Sequence, residues 1–451
     1  MAVSGTDFHH VSDVIFGWDP LITAAVILSI AYIFIISEKI NRAVISLIGA
    51  GFMVITGVLN QEAAIKGIDF NTIALLVGMM TIVGVSKQTG IFQYVAILSA
   101  KTVKGNPRAL LAVLAIITAV FSALLDNVTT VMLVIPITLL LTDQLKLPAY
   151  PFLFSQIFAS NVGGTATLIG DPPNILIGSA VGLGFMDFVY NVAGAALICL
   201  VFILVIFDFF WGRKMKTSQN ARDHILMFDE KEALTDKVLL GKSLFVLSLA
   251  FFGFVVGHGH GVEPGTVALF CAALLLLLEG LGHKADVQSH KVHAALNTVE
   301  WETIFFFIGL FIIVYGVETT GLLDMVAVKL LDITGGDIPK TGMLIIWSSA
   351  VLSAIIDNIP FVATMIPMIQ AMGPELGGDD NLMPLWWSLS LGACLGGNGS
   401  LVGASANVIV AGFADRAGQR ISFVKFLKFG FPLMLCTIAI ASVYAWYFLL
   451  H

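Results

Sequence analysis

Long apolar runs broken by short polar intervals repeat along this chain, among them PLITAAVILSIAYIFII (20–36), LLAVLAIITAVFSALL (110–125) and FPLMLCTIAIASVYAWYFLL (431–450). Each approaches or reaches the ~20 apolar residues that a helix needs to cross a bilayer core. The pattern predicts an all-α polytopic membrane protein. Against that background the informative positions are the polar ones inside the runs. FSALLDNVTTVMLVIP (121–136) carries Asp126 and Asn127, and LSAIIDNIPFVATMIP (352–367) carries Asp357 and Asn358 in the same register. An aspartate at membrane depth costs roughly 2.5–3.5 kcal/mol on insertion scales, so placing it twice needs a reason.

The two stretches belong to an internal repeat. Residues 70–96 (FNTIALLVGMMTIVGVSKQTGIFQYVA) align without a gap on 301–327 (WETIFFFIGLFIIVYGVETTGLLDMVA), and the same offset of 231 pairs the two Asp-Asn dipeptides and carries Pro136 onto Pro367. At an offset of 233, GGTATLIGDPPNILI (163–177) aligns on GGNGSLVGASANVIV (396–410). FMDF (185–188) finds FVKF (423–426) further on. One unit is thus used twice, over 1–211 and 243–451, joined by a polar linker at 212–242.

Lysine and arginine decide how the copies lie, because basic loops face the cytoplasm. KTVKGNPR (101–108) has three positive charges, whereas its counterpart DITGGDIPK (332–340) has one lysine and two aspartates. DRAGQRISFVKFLK (415–428) has four, and its counterpart VGLGFMDF (181–188) has none. The repeats are therefore expected to have inverted topology. Placing 38–42, 101–108, 143–150, 212–242, 281–300 and 413–428 in the cytoplasm accommodates 19 of the 23 basic residues and leaves both termini outside. Segment 109–142 must then enter and leave from the cytoplasm, as a re-entrant hairpin of two half-length helices with LLDNVTT at its turn. Segment 342–372 is the expected matching hairpin from outside. Each half supplies five transmembrane helices and one hairpin. Pro136 and Pro367 fall in the returning helices, where the missing N–H marks a kink.

Composition narrows the class. The chain is 58% hydrophobic and 12% charged, with a mean hydropathy of +0.95, whereas a soluble domain is about 25% charged. That excludes an ordinary soluble enzyme. The net charge of −7 says little, since most of the surface faces lipid, and no basic block points to nucleic acid. Cys199, Cys271, Cys394 and Cys436 lie scattered in apolar segments without a CxxC, so they form neither a disulfide framework nor a zinc site. MAVSGTDFHH lacks the basic n-region of a cleaved signal peptide. GHGHG (257–261) and the trio His283, His290 and His293 resemble metal ligands. The topology puts them on opposite sides, so they read as solvated loop residues, and no metal or cofactor is expected.

Discontinuous helices at the centre of inverted repeats are where secondary transporters bind substrate. Unwound backbone in the bilayer core is tolerated only when buried or lining a cavity. Two signals mark such backbone. The hairpin tips offer Asp126, Asn127 and Thr129 in one copy and Asp357 and Asn358 in the other. The stretches NVGGTATLIGDPPN (161–174) and CLGGNGSLVGASAN (394–407) offer Asn161, Gly163, Gly164, Thr165, Asp171 and Asn174, then Cys394, Gly396, Gly397, Asn398, Ser400 and Asn407. Glycine pairs free the backbone, so carbonyl and side-chain oxygens can take a cation, with Na+ placeable at the Asn127 and Asn358 tips. Half-helix N-termini can take an anion or a polar solute. A lone asparagine or glycine pair in a membrane helix is ordinarily a packing feature. Four occurrences at symmetry-related positions favour a site.

Asp171 is replaced by Ala404 in the second copy, so the lobes differ chemically, and Asp171 is either a coupling acid or a half-helix cap. Lys87 and Glu318 stand at equivalent positions with opposite charge, as a gating pair or as side chains snorkelling to the interface. Cys394 reads as a small core residue, yet it is the one thiol placed to touch a soft substrate.

At LLDNVTTVMLVIPIT, NVGGTATLIGDPPNILI, DNIPFVATMIP and ACLGGNGSLVGASANVIVAG the chain resembles the ion transporter superfamily, and within it the group of bacterial arsenite efflux pumps and the melanosomal P protein. Sodium-coupled dicarboxylate (citrate-type) carriers and NhaD-type sodium/proton antiporters are more distant. The resemblance implies a scaffold domain and a transport domain that moves as an elevator, with substrate between the hairpin tips and the unwound helices. Dicarboxylate carriers have Ser-Asn-Thr at both tips. Asp126-Asn127-Val128 and Asp357-Asn358-Ile359 depart from that, disfavouring a dianion and favouring a proton or cation, so Asp126 and Asp357 are expected to be ionisable couplers facing a polar cavity. The expected function is proton-coupled efflux of arsenite and antimonite across the cytoplasmic (inner) membrane. Sodium/proton antiport and a P-protein-like anion or pH-regulating permease are the alternatives. Paired hairpins from opposite sides argue against a channel. An intramembrane aspartyl protease would carry its acids on two complete helices, so no enzymatic activity is expected. No nucleotide-binding loop is present, so ATP drive would need an ATPase partner subunit, and a homodimer stays open.

Overall fold

The computed structural model describes residues 14–37 and 39–450; the expectations about the first ten residues and about the sides of the two termini lie outside them. Every regular element among the described residues is a helix. The polar breaks in the sequence become helix starts, because short polar side chains there take over the unpaired N–H groups of the first turn. Asn41 caps Arg42–Ile55, Asp69 caps Phe70–Lys87 and Asn106 caps Pro107–Leu124 in this way. Pro107, Pro172 and Pro264 stand in first turns, where the lost N–H had no helical partner anyway.

Among the described residues nine helices are long and apolar enough to cross a membrane, or ten if Pro172–Val181 and Phe185–Asn191, bent by 114°, count as one. Two helical hairpins are present, Pro107–Leu124 with Asn127–Gln144 and Ile338–Ile355 with Asn358–Gln370. Their arms are longer than the expected half-length helices. Three have 18 residues, or about 27 Å at 1.5 Å per residue. Only Asn358–Gln370 is short, at 13. Pro136 and Pro367 lie inside these arms without ending them. Burial of Val131, Val134, Ile135 and Leu141 holds the first returning arm in place through its proline.

Two helices are broken. Tyr150–Thr165 restarts as Pro172–Val181, and Met383–Gly396 passes through a 3-10 turn at Gly397–Gly399 before restarting as Ser405–Arg416. The irregular stretches are shorter than 161–174 and 394–407. Asn161, Gly163, Gly164 and Thr165 remain helical, as do Cys394 and Gly396. The reason is packing. A Cβ on Gly163 would meet Ala119 Cα at 2.6 Å, and one on Gly396 would meet Ala350 Cα at 2.6 Å. These glycines let a helix cross its hairpin arm at backbone contact.

Equivalent bonds recur in the two halves. Ser122 Oγ donates to the Ser160 carbonyl and Ser353 Oγ to that of Ala393; Thr167 Oγ1 donates to Ala123 and Ser400 Oγ to Ala354. The halves also interlock. Arg42–Ile55 packs on Trp301–Thr319, and Phe70–Lys87 on Pro264–Gly280. Asn127–Gln144 packs on Ser405–Arg416, and Asn358–Gln370 on Pro172–Val181. Each hairpin's returning arm thus meets the other half's restarted helix, which brings both tips to one centre.

The linker lies along the outer ends of these helices. Thr217 Oγ1 donates to the Leu145 carbonyl, Thr235 Oγ1 to that of Gln88, and Lys101 Nζ to Glu230. The Lys101 ammonium holds the Glu230 carboxyl below its usual range. Such half-buried surface pairs position more than they stabilise.

Close helix crossing has a direct test. A Cβ on Gly309 would lie 2.5 Å from the Ser46 carbonyl carbon, whereas one on Gly412 meets nothing within 4 Å. Gly309→Ala should destabilise the detergent-solubilised protein by about 1–3 kcal/mol. Gly412→Ala should leave it unchanged or about 0.5–1 kcal/mol more stable. Equal thermal unfolding of the two variants would contradict the backbone-contact packing.

Candidate functional site

Both tip aspartates cap the returning arm of their hairpin, yet they are satisfied differently. Asp126 accepts from the Thr129 amide at 2.7 Å and from the Thr129 hydroxyl, within its own helix. Asp357 accepts from the Ile359 amide at 3.1 Å, the Ser405 hydroxyl at 2.9 Å and Arg42 Nη1 at 3.0 Å. The same repeat position therefore carries a local cap in one copy and an ion pair in the other.

The tip asparagines converge on Asp171. Asn127 Nδ2 donates to Asp171 Oδ1 and to Asn161 Oδ1, both at 3.3 Å. Asn358 Nδ2 donates to the same Asp171 Oδ1 at 3.2 Å. Asp171 stands where the first broken helix restarts, held extended ahead of Pro172 and Pro173 (φ −143°, ψ 133°). It is fully buried, and among the described residues Oδ2 has no hydrogen-bond partner, with the Cys394 thiol as its neighbour. A buried carboxylate oxygen without a donor is unusual and costly.

The polar network extends from there. Asn161 Nδ2 donates to Oδ1 of Asn398 and of Asn407, each at 3.0 Å. Asn398 Nδ2 finds no acceptor among the described residues. Asn174 and Asn407 act as equivalent brackets across the two breaks. Asn174 Nδ2 donates to the carbonyls of Gly164, Thr165 and Thr167, and Asn407 Nδ2 to those of Gly397 and Ser400. They pair carbonyls that the interrupted helices leave without a partner. Asn174 Oδ1 in turn accepts from Ser390 Oγ at 2.7 Å and from Cys394 Sγ at 3.4 Å. The Cys394 thiol is thus fully buried and engaged with Asn174.

The structure brings together Asn127, Asn358, Asp171, Asn161, Asn398, Asn407, Asn174 and Cys394. Asp126 and Thr129 turn to each other, and Thr165 and Ser400 return their hydroxyls to backbone carbonyls. Gly163, Gly164, Gly396 and Gly397 serve close packing around the breaks. Lys87 and Glu318 are exposed in the last turns of their helices, and no ion pair among the described residues joins them. His260, His283, His290 and His293 are exposed; His258 lies 3.8 Å from Asp187. Among the described residues no three His, Cys, Asp or Glu side chains are grouped to hold a metal ion.

Sequence reasoning missed Arg42, Ser405 and Glu300. Arg42 was counted as a loop charge. Its signal was adjacency to a capping asparagine at the start of an apolar run, which puts it in a helix rather than a loop. Glu300 is the repeat counterpart of Asp69, a helix-starting acid in each half. Arg42 and Glu300 line a 510 Å³ cavity with Asn41, Thr303, Asp357 and Ser405. A 20 Å³ cavity beside it touches Asp126, Asn127 and Asn358. A further cavity of 170 Å³ lies at the other end of Trp301–Thr319, at Asp69, Ser179, Tyr315 and Glu318.

A family model described as a citrate transporter (CitMHS) matches residues 32–392 of this chain. An uncharacterized transporter of Mycobacterium tuberculosis is 40% identical over 435 residues, covering 95% of this chain and 99% of its own length. The human P protein is 32% identical over 505 residues, covering 93% of this chain and 59% of that protein. The crystal structure of the Alcanivorax borkumensis YdaH transporter is similar in fold, with a TM-score of 0.57 at 14% identity over 95% of this chain and 97% of the other.

The bracket asparagines carry a stability prediction. Asn174→Ala and Asn407→Ala each strip donors from the carbonyls of a broken helix, and each should cost about 1–3 kcal/mol in thermal unfolding. Asn174→Ala should cost more, because Ser390 and Cys394 lose their acceptor as well. Parent-like melting of both variants would rule out the brackets.

Proposed function

We propose a mechanism for a chain that belongs to the citrate transporter family and is a multi-pass secondary transporter of that type. In this reading it exports arsenite or antimonite across the cytoplasmic membrane in exchange for protons. One observation carries it: the centre holds an acceptor without a donor, Asp171 Oδ2, and a donor without an acceptor, Asn398 Nδ2. Neutral trihydroxy arsenic supplies both, since each hydroxyl donates and accepts. A proton on Asp171 relieves the first atom alone. Cargo and proton therefore compete for one oxygen, and competition at a shared site is what exchange requires. The tip aspartates, one capped and one ion-paired, take positioning roles.

Sodium/proton antiport is the second reading. It is favoured by Cys394, whose thiol is engaged by Asn174 and offers arsenic no soft ligand. Citrate, which the family description names, fits less well. The inner cavity is 20 Å³ and includes Asp126 and Glu300 in its lining.

Inverted repeats and elevator motion belong to the same proposal. The twinned hydrogen bonds and interlocked halves support it, as do cavities at opposite ends of Trp301–Thr319. The hairpins and broken helices form the moving unit. Arg42–Ile55, Phe70–Lys87, Pro264–Gly280 and Trp301–Thr319 form the scaffold, and both termini face outside. The exposed residues Lys104 and Asp380 test the topology. In intact cells, Lys104→Cys should react with thiol reagents only from the cytoplasm and Asp380→Cys only from outside. Reaction of both from one side would overturn the inversion.

Everted vesicles under an imposed proton gradient test cargo and coupling together. They should accumulate arsenite, lose the accumulation with a protonophore, and show competition by antimonite but not by citrate. Asp171→Asn should abolish the pH dependence of transport, while Asp126→Asn retains it. Sodium-evoked proton release without arsenite flux would replace the cargo and keep Asp171. Parent-like pH dependence in Asp171→Asn would remove that acid from the mechanism.

A further inference from the structure

Arg42 lines two cavities at once. The 510 Å³ cavity is a vestibule bounded by the starts of Arg42–Ile55 and Trp301–Thr319. The 20 Å³ cavity, about the space of a single water, reaches Asp126, Asn127 and Asn358. Four residues line both: Arg42, Glu300, Thr303 and Ser405. They are the wall between the vestibule and the tips.

Within that wall Arg42 is the long side chain that bridges separate elements. Glu300 is tied to Thr303 of the same helix start, at 3.2 Å. Arg42 Nη1 instead reaches Asp357 Oδ2 at 3.0 Å on the second hairpin and Ser405 Oγ at 2.6 Å on the second broken helix. Ser405 Oγ also donates to Asp357 Oδ2 at 2.9 Å, which closes a triangle. The guanidinium carbon sits 5.1 Å from the Phe306 ring centroid, a cation–π contact with the scaffold. The pair is neither free nor sealed, with side chains 25% and 14% exposed. Charge-assisted bonds of this kind hold a geometry yet exchange for water when the groups separate. Tyr32 adds a second tie from the first helix, its hydroxyl donating to the Pro360 carbonyl at 2.6 Å. Among the described residues the first hairpin tip has no ion pair to match; Asp126 is held by Thr129.

We infer that Arg42 is a positioning residue that gates the passage from the vestibule to the tip asparagines. The gate is closed while Arg42 bridges Asp357 and Ser405, and it opens when the guanidinium swings into the vestibule. This rests on the proposed site only for what lies behind the gate.

Thiol accessibility tests the gate without any cargo or proton gradient. Val128 lines the inner cavity and is 9% exposed, whereas Val408 lines the vestibule and is 41% exposed. Val128→Cys and Val408→Cys are treated with a small charged thiol reagent applied to each face of oriented vesicles, and peptide mass spectrometry separates them from the native cysteines. Val408→Cys should react fast and Val128→Cys slowly. Adding Arg42→Ala should speed modification at 128 by about tenfold, the factor that one lost charge-assisted bond supplies. The rate at 408 should stay unchanged. Arg42→Lys should give a smaller increase, because an ammonium keeps the charge but not the fork. An unchanged rate at 128 beside a parent-like rate at 408 overturns the gate. If Arg42→Ala fails to insert, Ser405→Ala decides: it should raise the rate at 128, and an unchanged rate there overturns the gate equally. Absence of arsenite flux in the parent would sink the cargo reading and leave this result standing.

Discussion

Burying the Asp171 carboxylate obliges the chain to bring donors from several directions at once, and much of the architecture follows from how it does so. One asparagine arrives from each hairpin tip, and both donate to the same oxygen. That convergence requires two hairpins that meet point to point, which requires the interlocked packing of each returning arm on the other half's restarted helix. The restart must itself be held open, and Asn174 and Asn407 do this by bonding the carbonyls of the breaks. The other carboxylate oxygen has no hydrogen-bond partner among the described residues. In a low-dielectric centre that is a strong demand for a proton, a cation or a hydroxyl.

Symmetry and its violations divide the labour. Where the two copies agree, at the serine and threonine bonds to hairpin backbone and at the glycine crossings, they build the same hairpin-and-broken-helix frame twice. Where they differ, they assign function. Asp171 faces Ala404 across the repeat, so one lobe carries the acid alone. Arg42 pairs with Asp357, whereas Asp126 is closed by Thr129, so one tip is tied to the scaffold and the other is tied to itself. In the proposed mechanism, this duplicated frame with single-copy chemistry supplies one exchange site and an access route that opens differently toward each side.

The sequence carried the repeat, the Asp-Asn tips and the Gly-Asn stretches, because an acid or a broken helix inside an apolar run has few bland explanations. It carried Asp171 as an asymmetry, without showing that both tip asparagines would bond it. Four features were not legible. Hairpin arm length was misjudged because apolar runs of helix and half-helix look alike, and a proline such as Pro136 marks a lost bond without marking an end. The extent of unwinding was overstated because a Gly-Gly pair frees the backbone and also permits close packing; Gly163 against Ala119 shows the second use. Arg42 was hidden because charge counting assigns basic residues at helix starts to loops. Its partner Asp357 lies 315 positions away, and no local pattern joins them. Cys394 reads from the sequence as a small core residue or a substrate contact, and no local pattern shows Asn174 beside it.

The central claim is that Asp171 gives up a proton when cargo binds. Infrared difference spectroscopy of the purified protein reads this directly, as the loss of a protonated-carboxyl stretch on adding arsenite, or sodium under the second reading. The account predicts a band that disappears on binding, is missing in Asp171→Asn and persists in Asp126→Asn. A binding-induced carboxyl band that survives in Asp171→Asn would contradict it.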